Sequence, residues 1–186
     1  MGVSAENGRI LWSAPDWNAK IAMVPSPVDI GGGRIFLSGG YGAGSMMVQL
    51  SETGGVFSVG TMFRLKPKLF GSTQHTPIYY QNHLFGVREF PDDQLVCLDL
   101  NGNVVWTSGS DRRFRGGPFL LAQGMIFVLS EEGLLTMVEA SASGYKELAR
   151  AKVLEGPFAC GPMAMADGRL ILRDFHQMIC LDVAGQ

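Results

Sequence analysis

A small residue followed by proline recurs four times along the chain, as Ser26-Pro27, Thr76-Pro77, Gly117-Pro118 and Gly161-Pro162. The prolines stand 50, 41 and 44 residues apart. This recurrence constrains the fold most, because a period of about 40–50 residues marks a stack of similar supersecondary units. After each proline come a short apolar stretch, a turn and a second apolar run: "GGRIFLSGG", "QNHLFGVRE", "QGMIFVLSEE" and "DGRLILRDF". A third run follows in every copy, as "MMVQLSE", "LVCLDLN", "LTMVEAS" and "MICLDV". Three copies continue into a fourth run, "GGVFSVGTMF", "NVVWTS" and "YKELARAKV".

Four short strands per unit predict an all-β chain of four β-propeller blades, each a radial four-stranded meander. Blades pack face to face. Their middle strands are then covered on both sides and read as unbroken apolar runs, such as "MIFVL" and "LIL". Proline suits the start of an inner strand, where no ladder donor is lost. Gly33, Asn82, Gly124 and Gly168 precede the second runs, where a tight hairpin needs positive φ. The expected organisation is one domain, 1–186, with an outer strand at 1–13 and units at 22–65, 70–110, 114–153 and 157–183.

Composition narrows the function. Lys and Arg total 15 against 17 Asp and Glu, so no basic face for nucleic acid is implied. No apolar run reaches the roughly 18 residues of a membrane span. The stretch "MGVSAENGRILW" lacks the basic and apolar regions of a signal peptide. The three cysteines fit neither a zinc site nor a CxxC redox motif. Cys97 and Cys180 hold equivalent repeat positions and are expected to be buried as small apolar residues.

"CLDLNGNVVW" at Cys97–Trp106 and "VSAENGRILW" at Val3–Trp12 resemble the repeat of the quinoprotein (PQQ-dehydrogenase-like) propellers. That repeat reads roughly Leu-Asp-Ala-x-Thr-Gly-x-x-x-Trp. "VQLSETGGVF" at Val48–Phe57 keeps its turn, and "MVEASASGYKEL" is degenerate. The resemblance spans essentially the whole chain. It implies a quinoprotein-type propeller in which Trp12 and Trp106 lock blade to blade. Many such propellers bind no quinone and act as interaction scaffolds, so function has to come from a site. The quinone enzymes of the family carry vicinal cysteines, a Glu/Asn calcium pair and an Asp base. Cys97, Cys160 and Cys180 are never adjacent, and the rest of that set finds no match. The expectation is therefore a non-catalytic scaffold without cofactor, binding a protein or carbohydrate. The alternative is part of a quinone-dependent dehydrogenase, with PQQ and calcium, whose catalytic half lies elsewhere. The resemblance also implies an exported, periplasmic or secreted protein.

A meander brings two loop sets to one face: those entering each inner strand, and those between second and third strands. These loops hold Trp17, Lys20, Tyr41, Lys68, His75, Arg112, Arg113, Arg115 and His176. The opposite turns, "ETGG", "NGN" and "ASASG", carry little chemistry. Binding sites concentrate on such loops, so Trp17, Tyr41, His75, Arg112, Arg113, Arg115 and His176 are the candidate binding residues. "DRRFRGG" could grip a carboxylate or phosphate through forked hydrogen bonds. Solvated loop charge, with one arginine paired to Asp111, is the favoured reading. His75, His83 and His176 lie in different units and share no metal-ligand spacing. Asp92-Asp93 could form a cation site or acid pair, but reads as turn chemistry. No catalytic constellation is evident.

The last copy, "ICLDVAGQ", lacks its fourth run, whereas "ENGRILWS" supplies a turn and a fourth run with no unit before it. The N-terminal strand is expected to complete the last unit, in its own chain or in a second copy. The second arrangement gives a homodimer forming an eight-bladed ring. A fragment of one longer chain is the rival explanation.

Overall fold

The computed structural model describes residues 1–14, 16–17, 21–89 and 91–184. Lys20 lies outside the described residues. The described residues are all strand, turn and loop. They contain no helix long and apolar enough to cross a membrane.

A short hairpin, β1 (Gly2–Val3) and β2 (Ile10–Trp12), comes first. The first unit is β3 (Val28–Gly31), β4 (Arg34–Gly39), β5 (Gly44–Thr53) and β6 (Val56–Leu65). The second is β7 (Ile78–Tyr80), β8 (His83–Val87), β9 (Leu95–Asp99) and β10 (Val104–Thr107). The third is β11 (Phe119–Ala122), β12 (Met125–Leu129), β13 (Leu134–Glu139) and β14 (Glu147–Lys152). The fourth has three strands, β15 (Ala164–Ala166), β16 (Arg169–Arg173) and β17 (Met178–Asp182). Each unit is an antiparallel sheet with its strands in sequence order. The expected all-β, four-unit architecture is present.

Pro27, Pro77 and Pro118 sit directly before β3, β7 and β11, and Pro162 stands two residues before β15. The first hairpin of units two, three and four turns on Gln81-Asn82, Gln123-Gly124 and Asp167-Gly168. Both residues of each pair have φ between +47° and +74°. That is the type I′ pattern, whose twist matches the flanking strands. The second residues were legible as turn formers. Gln81 and Gln123 were not, since long polar side chains rarely adopt this region.

Successive side chains on a strand point to opposite faces, and the three cores follow from that. Phe36 and Met47 of unit one meet Leu84 and Leu98 of unit two. Phe85, Cys97 and Trp106 on the other face of unit two meet Ile126, Val128 and Val138. Phe127, Leu129 and Leu135 of unit three meet Leu170 and Leu172. Leu84 and Phe85 are adjacent in sequence yet serve different cores, which explains why the middle strands read as apolar runs.

The N-terminal strand is not where a one-chain ring would put it. β17 pairs with β16 alone, and β2 pairs with β1 and lies beside β6 of unit one. A local hairpin costs far less loop-closure entropy than pairing strands at opposite ends of the chain. The outward side of unit four is consequently bare. Ile171 is 43% and Met178 69% exposed, and Cys180 is exposed rather than buried like Cys97. Cys97 pairs with Phe85 and Cys180 with Ile171, so the repeat equivalence holds. Only the neighbouring unit that covers Cys97 has no counterpart at Cys180.

Candidate functional site on the loop face

The loops entering units two, three and four each latch onto the unit before. Ser72 N donates to Ser38 Oγ at 2.9 Å, and Ser45 Oγ donates to the Phe70 carbonyl at 3.2 Å. Phe114 N donates to the Asp93 carbonyl at 2.8 Å, and Ala159 N to the Glu131 carbonyl at 3.0 Å. These bonds fix the loop face as one continuous surface.

Between units two and three lies a small polar cavity of about 40 Å³, lined by Thr73, His75, Glu89, Asp93 and Arg115 among others. Its volume suits one or two waters rather than a substrate. His75 Nε2 lies 3.1 Å from the Gly116 carbonyl and packs edge-on against Phe119. Burial lowers the His75 pKa below its ordinary value, against the opposing pull of the Gly116 carbonyl. Burial raises Asp93, although Arg115 and Arg113 oppose it. Tyr41, with φ of +55°, donates its backbone N–H to Glu89 Oε2 at 2.7 Å, tying unit one to the cavity rim.

Arg113 and Arg115 line a neighbouring cleft of about 270 Å³ with Ser110, Asp111, Glu131, Glu132 and Arg150. Arg115 reaches Glu131 at 3.4 Å, and Arg113 Nε donates to the Ser110 carbonyl at 3.2 Å. Three arginines face three carboxylates here, so the cleft is balanced rather than anion-selective. Arg112 pairs with Glu147 rather than with Asp111, whose backbone carbonyl alone it meets. Tyr145 also donates to Glu147 Oε2. Asp92 grips the buried Arg88 through both carboxylate oxygens, at 2.8 and 2.9 Å, and is structural.

The structure thus brings Tyr41, His75, Arg113 and Arg115 onto one tract. Trp17 is half-buried: its ring lies against Gly39 at the end of β4, and its buried Nε1 has no hydrogen-bond partner among the described residues. The backbone N–H of His176 donates to Asp174 at 2.7 Å, so its loop is held by a carboxylate and lies apart from the cavity. His83 begins β8 and bonds the Gln81 carbonyl through Nδ1. No group of three or more His, Cys, Asp or Glu side chains converges as metal ligands among the described residues.

Sequence reasoning missed an aromatic pair. Phe158 and Phe175 are 54% and 73% exposed, with ring centroids 5.6 Å apart, beside Arg173 and Gln74. Phe158 has φ of +61°, uncommon for a bulky residue. Asp174 accepts from Gly156 N, His176 N and Gln177 N, which fixes both loops. Backbone bonds from the His176, Gln177 and Gly156 amides keep the Asp174 carboxyl below its ordinary pKa. The apolar residue inside "GPFACG" was the only available signal.

Trp106 lies between units two and three. Its Nε1 donates to the Ser141 carbonyl of unit three at 2.9 Å, and its ring packs against Phe85 and Tyr145. Trp12 instead stacks on the backbone of Gly2 within the first hairpin.

Comparison with known proteins adds to this geometry. A family described as "Outer membrane protein assembly factor BamB" matches residues 91–184, just over half of the chain. No curated protein matches the sequence. Among solved structures, BamB from Moraxella catarrhalis is similar with a TM-score of 0.59 at 16% identity, over 84% of this chain and 41% of that one. AztD from Citrobacter koseri gives 0.52 at 15% identity, over 87% and 44%. The computationally designed Ika4 protein gives 0.55 at 5% identity, over 92% of this chain and all of that one. The chain therefore spans less than half the length of BamB and AztD. At these identities the likeness is one of fold. The repeat motif around Trp106, the four-unit stack and the family match agree: the chain belongs to the BamB family of PQQ-like propeller repeat proteins.

Proposed function

We propose that the chain is a non-catalytic scaffold that presents its loop face to a protein partner. The observation that carries this is the tract Tyr41–His75–Arg115–Arg113 with the Phe158–Phe175 pair, a rigidly held surface on which no catalytic constellation converges among the described residues. Exposed aromatics and arginines are the residue types that anchor protein interfaces. A carbohydrate on the aromatic pair is the lesser reading. The family description, an outer membrane assembly factor, supports a protein partner in the cell envelope and a periplasmic or secreted location.

The scaffold is further proposed to be two copies forming one eight-bladed ring. The bare face of unit four supports this, because an uncovered blade face and strand edge invite pairing.

The test is capture from source extract with three baits: the intact chain, Arg113→Glu with Phe158→Ala, and Val104→Glu on the outer strand of unit two. The scaffold reading expects the same partner with the first and third baits and its loss with the second. Equal capture by all three contradicts it.

A further inference from the structure

We infer that the outer edge of β6 is a second binding surface, separate from the loop face. It accepts one extended, uncharged strand of a partner protein, which joins the sheet of unit one.

β5 and β6 have ten residues each. The corresponding strands have five and four residues in unit two, and six and six in unit three. β4 ladders only Gly44–Gln49 of β5. The pairs Leu50–Val59, Ser51–Ser58, Glu52–Phe57 and Thr53–Val56 run on past it as a two-stranded ribbon. Such a ribbon is marginal in water on its own. Its turn, "ETGG", is the counterpart of "NGN" and "ASASG", so the ribbon leaves on the side opposite the loop face.

β6 is the last strand of its sheet. Among the described residues, the backbone bonds of Val56–Phe63 go to β5 alone. β2 lies near β6 but ladders only with β1. The fourth strand of a propeller unit faces outward, so this edge stays open whatever covers the faces of the sheet. Exposed edges are ordinarily guarded by charge, proline or brevity. β14 carries Glu147, Arg150 and Lys152, and β10 is short. β6 runs from Val56 to Phe63 with neither charge nor proline, and Val56 and Met62 are 72% and 50% exposed. Its register is irregular only at Met62, opposite Met47 and Val48, which leaves Val56–Thr61 as a regular run.

The backbone fixes the complement of this edge. Alternate residues turn their N–H and C=O groups outward, and another extended strand satisfies both. The side chains set its character. A charged residue on the incoming strand meets no counter-charge on β6 between Val56 and Phe63, and Arg64 at the end is engaged by Asp16. Gly60 has open space around it, which leaves room for a large neighbour. The occupant is therefore a neutral strand with a bulky side chain beside Gly60. A second copy would bring its own β1–β2 hairpin to the same edge, where β2 already stands near β6. The approach suits a single strand better than a second blade.

Amide exchange read by NMR tests this on the native chain, alone and with an excess of a capped peptide of alternating threonine and valine flanked by lysines. Every second amide of Val56–Thr61 is expected to exchange at least about tenfold more slowly with the peptide, as new ladder bonds form. The amides of β10 and β14 should not change. Ser58→Lys with Met62→Lys guards the edge at two exposed residues. This variant should melt like the native chain and lose the slowing. No slowing in the native chain, or equal slowing in the variant, overturns the inference. Slowing without peptide that grows with protein concentration, together with a doubled mass in light scattering, makes the occupant a second copy and overturns it too. Arg113→Glu with Phe158→Ala should bind the peptide as the native chain does, so this edge and the loop-face reading fail separately.

Discussion

Trp106 of unit two donates its indole N–H to the Ser141 carbonyl of unit three at 2.9 Å while its ring meets Tyr145 at 5.9 Å. One residue therefore joins two blades by both a directional bond and buried area. Trp106→Phe keeps most of the area and loses the bond, so a cost of about 1 kcal/mol is expected. Trp106→Ala also opens a cavity and should cost about 3–5 kcal/mol. Urea unfolding of both variants checks the ratio; equal costs would contradict the assignment of two separate contributions.

Gly133 turns between β12 and β13 with φ of +84°, and a Cβ there would strike the Leu154 carbonyl on the entering loop. Gly133→Ala should cost about 2 kcal/mol or more, from the backbone strain and the clash together. Gly54 has φ of +60° but open space around it. Gly54→Ala should cost about 1 kcal/mol. Thermal melts of the pair separate the clash from the conformational term.

His75 is held neutral by burial, with a pKa below the ordinary 6.5. A lowered histidine contributes stability that is complete above pH 6.5 and is lost progressively as pH falls below it toward the folded value. Stability measured from pH 8 to 5 should decline on the acid side, and His75→Gln should flatten that part of the decline. An unchanged profile in the variant would assign the acid sensitivity elsewhere.

Cys97 is buried, and burial pushes its thiol up to about 12. Cys180 lies on the open face of unit four. A maleimide should therefore label Cys180 rapidly and Cys97 only on unfolding. On the two-copy reading, labelling of Cys180 slows as protein concentration rises, whereas that of the half-buried Cys160 does not.

The unit count and strand order were legible because buried-on-both-faces strands leave apolar runs between turn residues. Asn82 and Gly124 announce their hairpins directly. The burial of Cys180 could not be judged from its repeat position, because burial there depends on a neighbouring unit, not on the local strand. The same holds for Trp12, whose motif matches Trp106 but whose hairpin closed locally on Gly2. The loop face was legible as a surface and not as a site. Arg112 found Glu147 through the spatial neighbourhood of units two and three, 35 residues away in sequence. Phe158 and Phe175 come from loops with no periodic pattern, brought together by the Asp174 bond to Gly156 and by Arg173 lying against Gly161.

The proposal for this BamB-family propeller is a scaffold rather than a quinone enzyme. Titration with pyrroloquinoline quinone and calcium, followed by absorbance and by calorimetry, tests it most directly. The account predicts no saturable binding, since Cys97, Cys160 and Cys180 sit in different units and form no vicinal pair. Stoichiometric, calcium-dependent binding would contradict it.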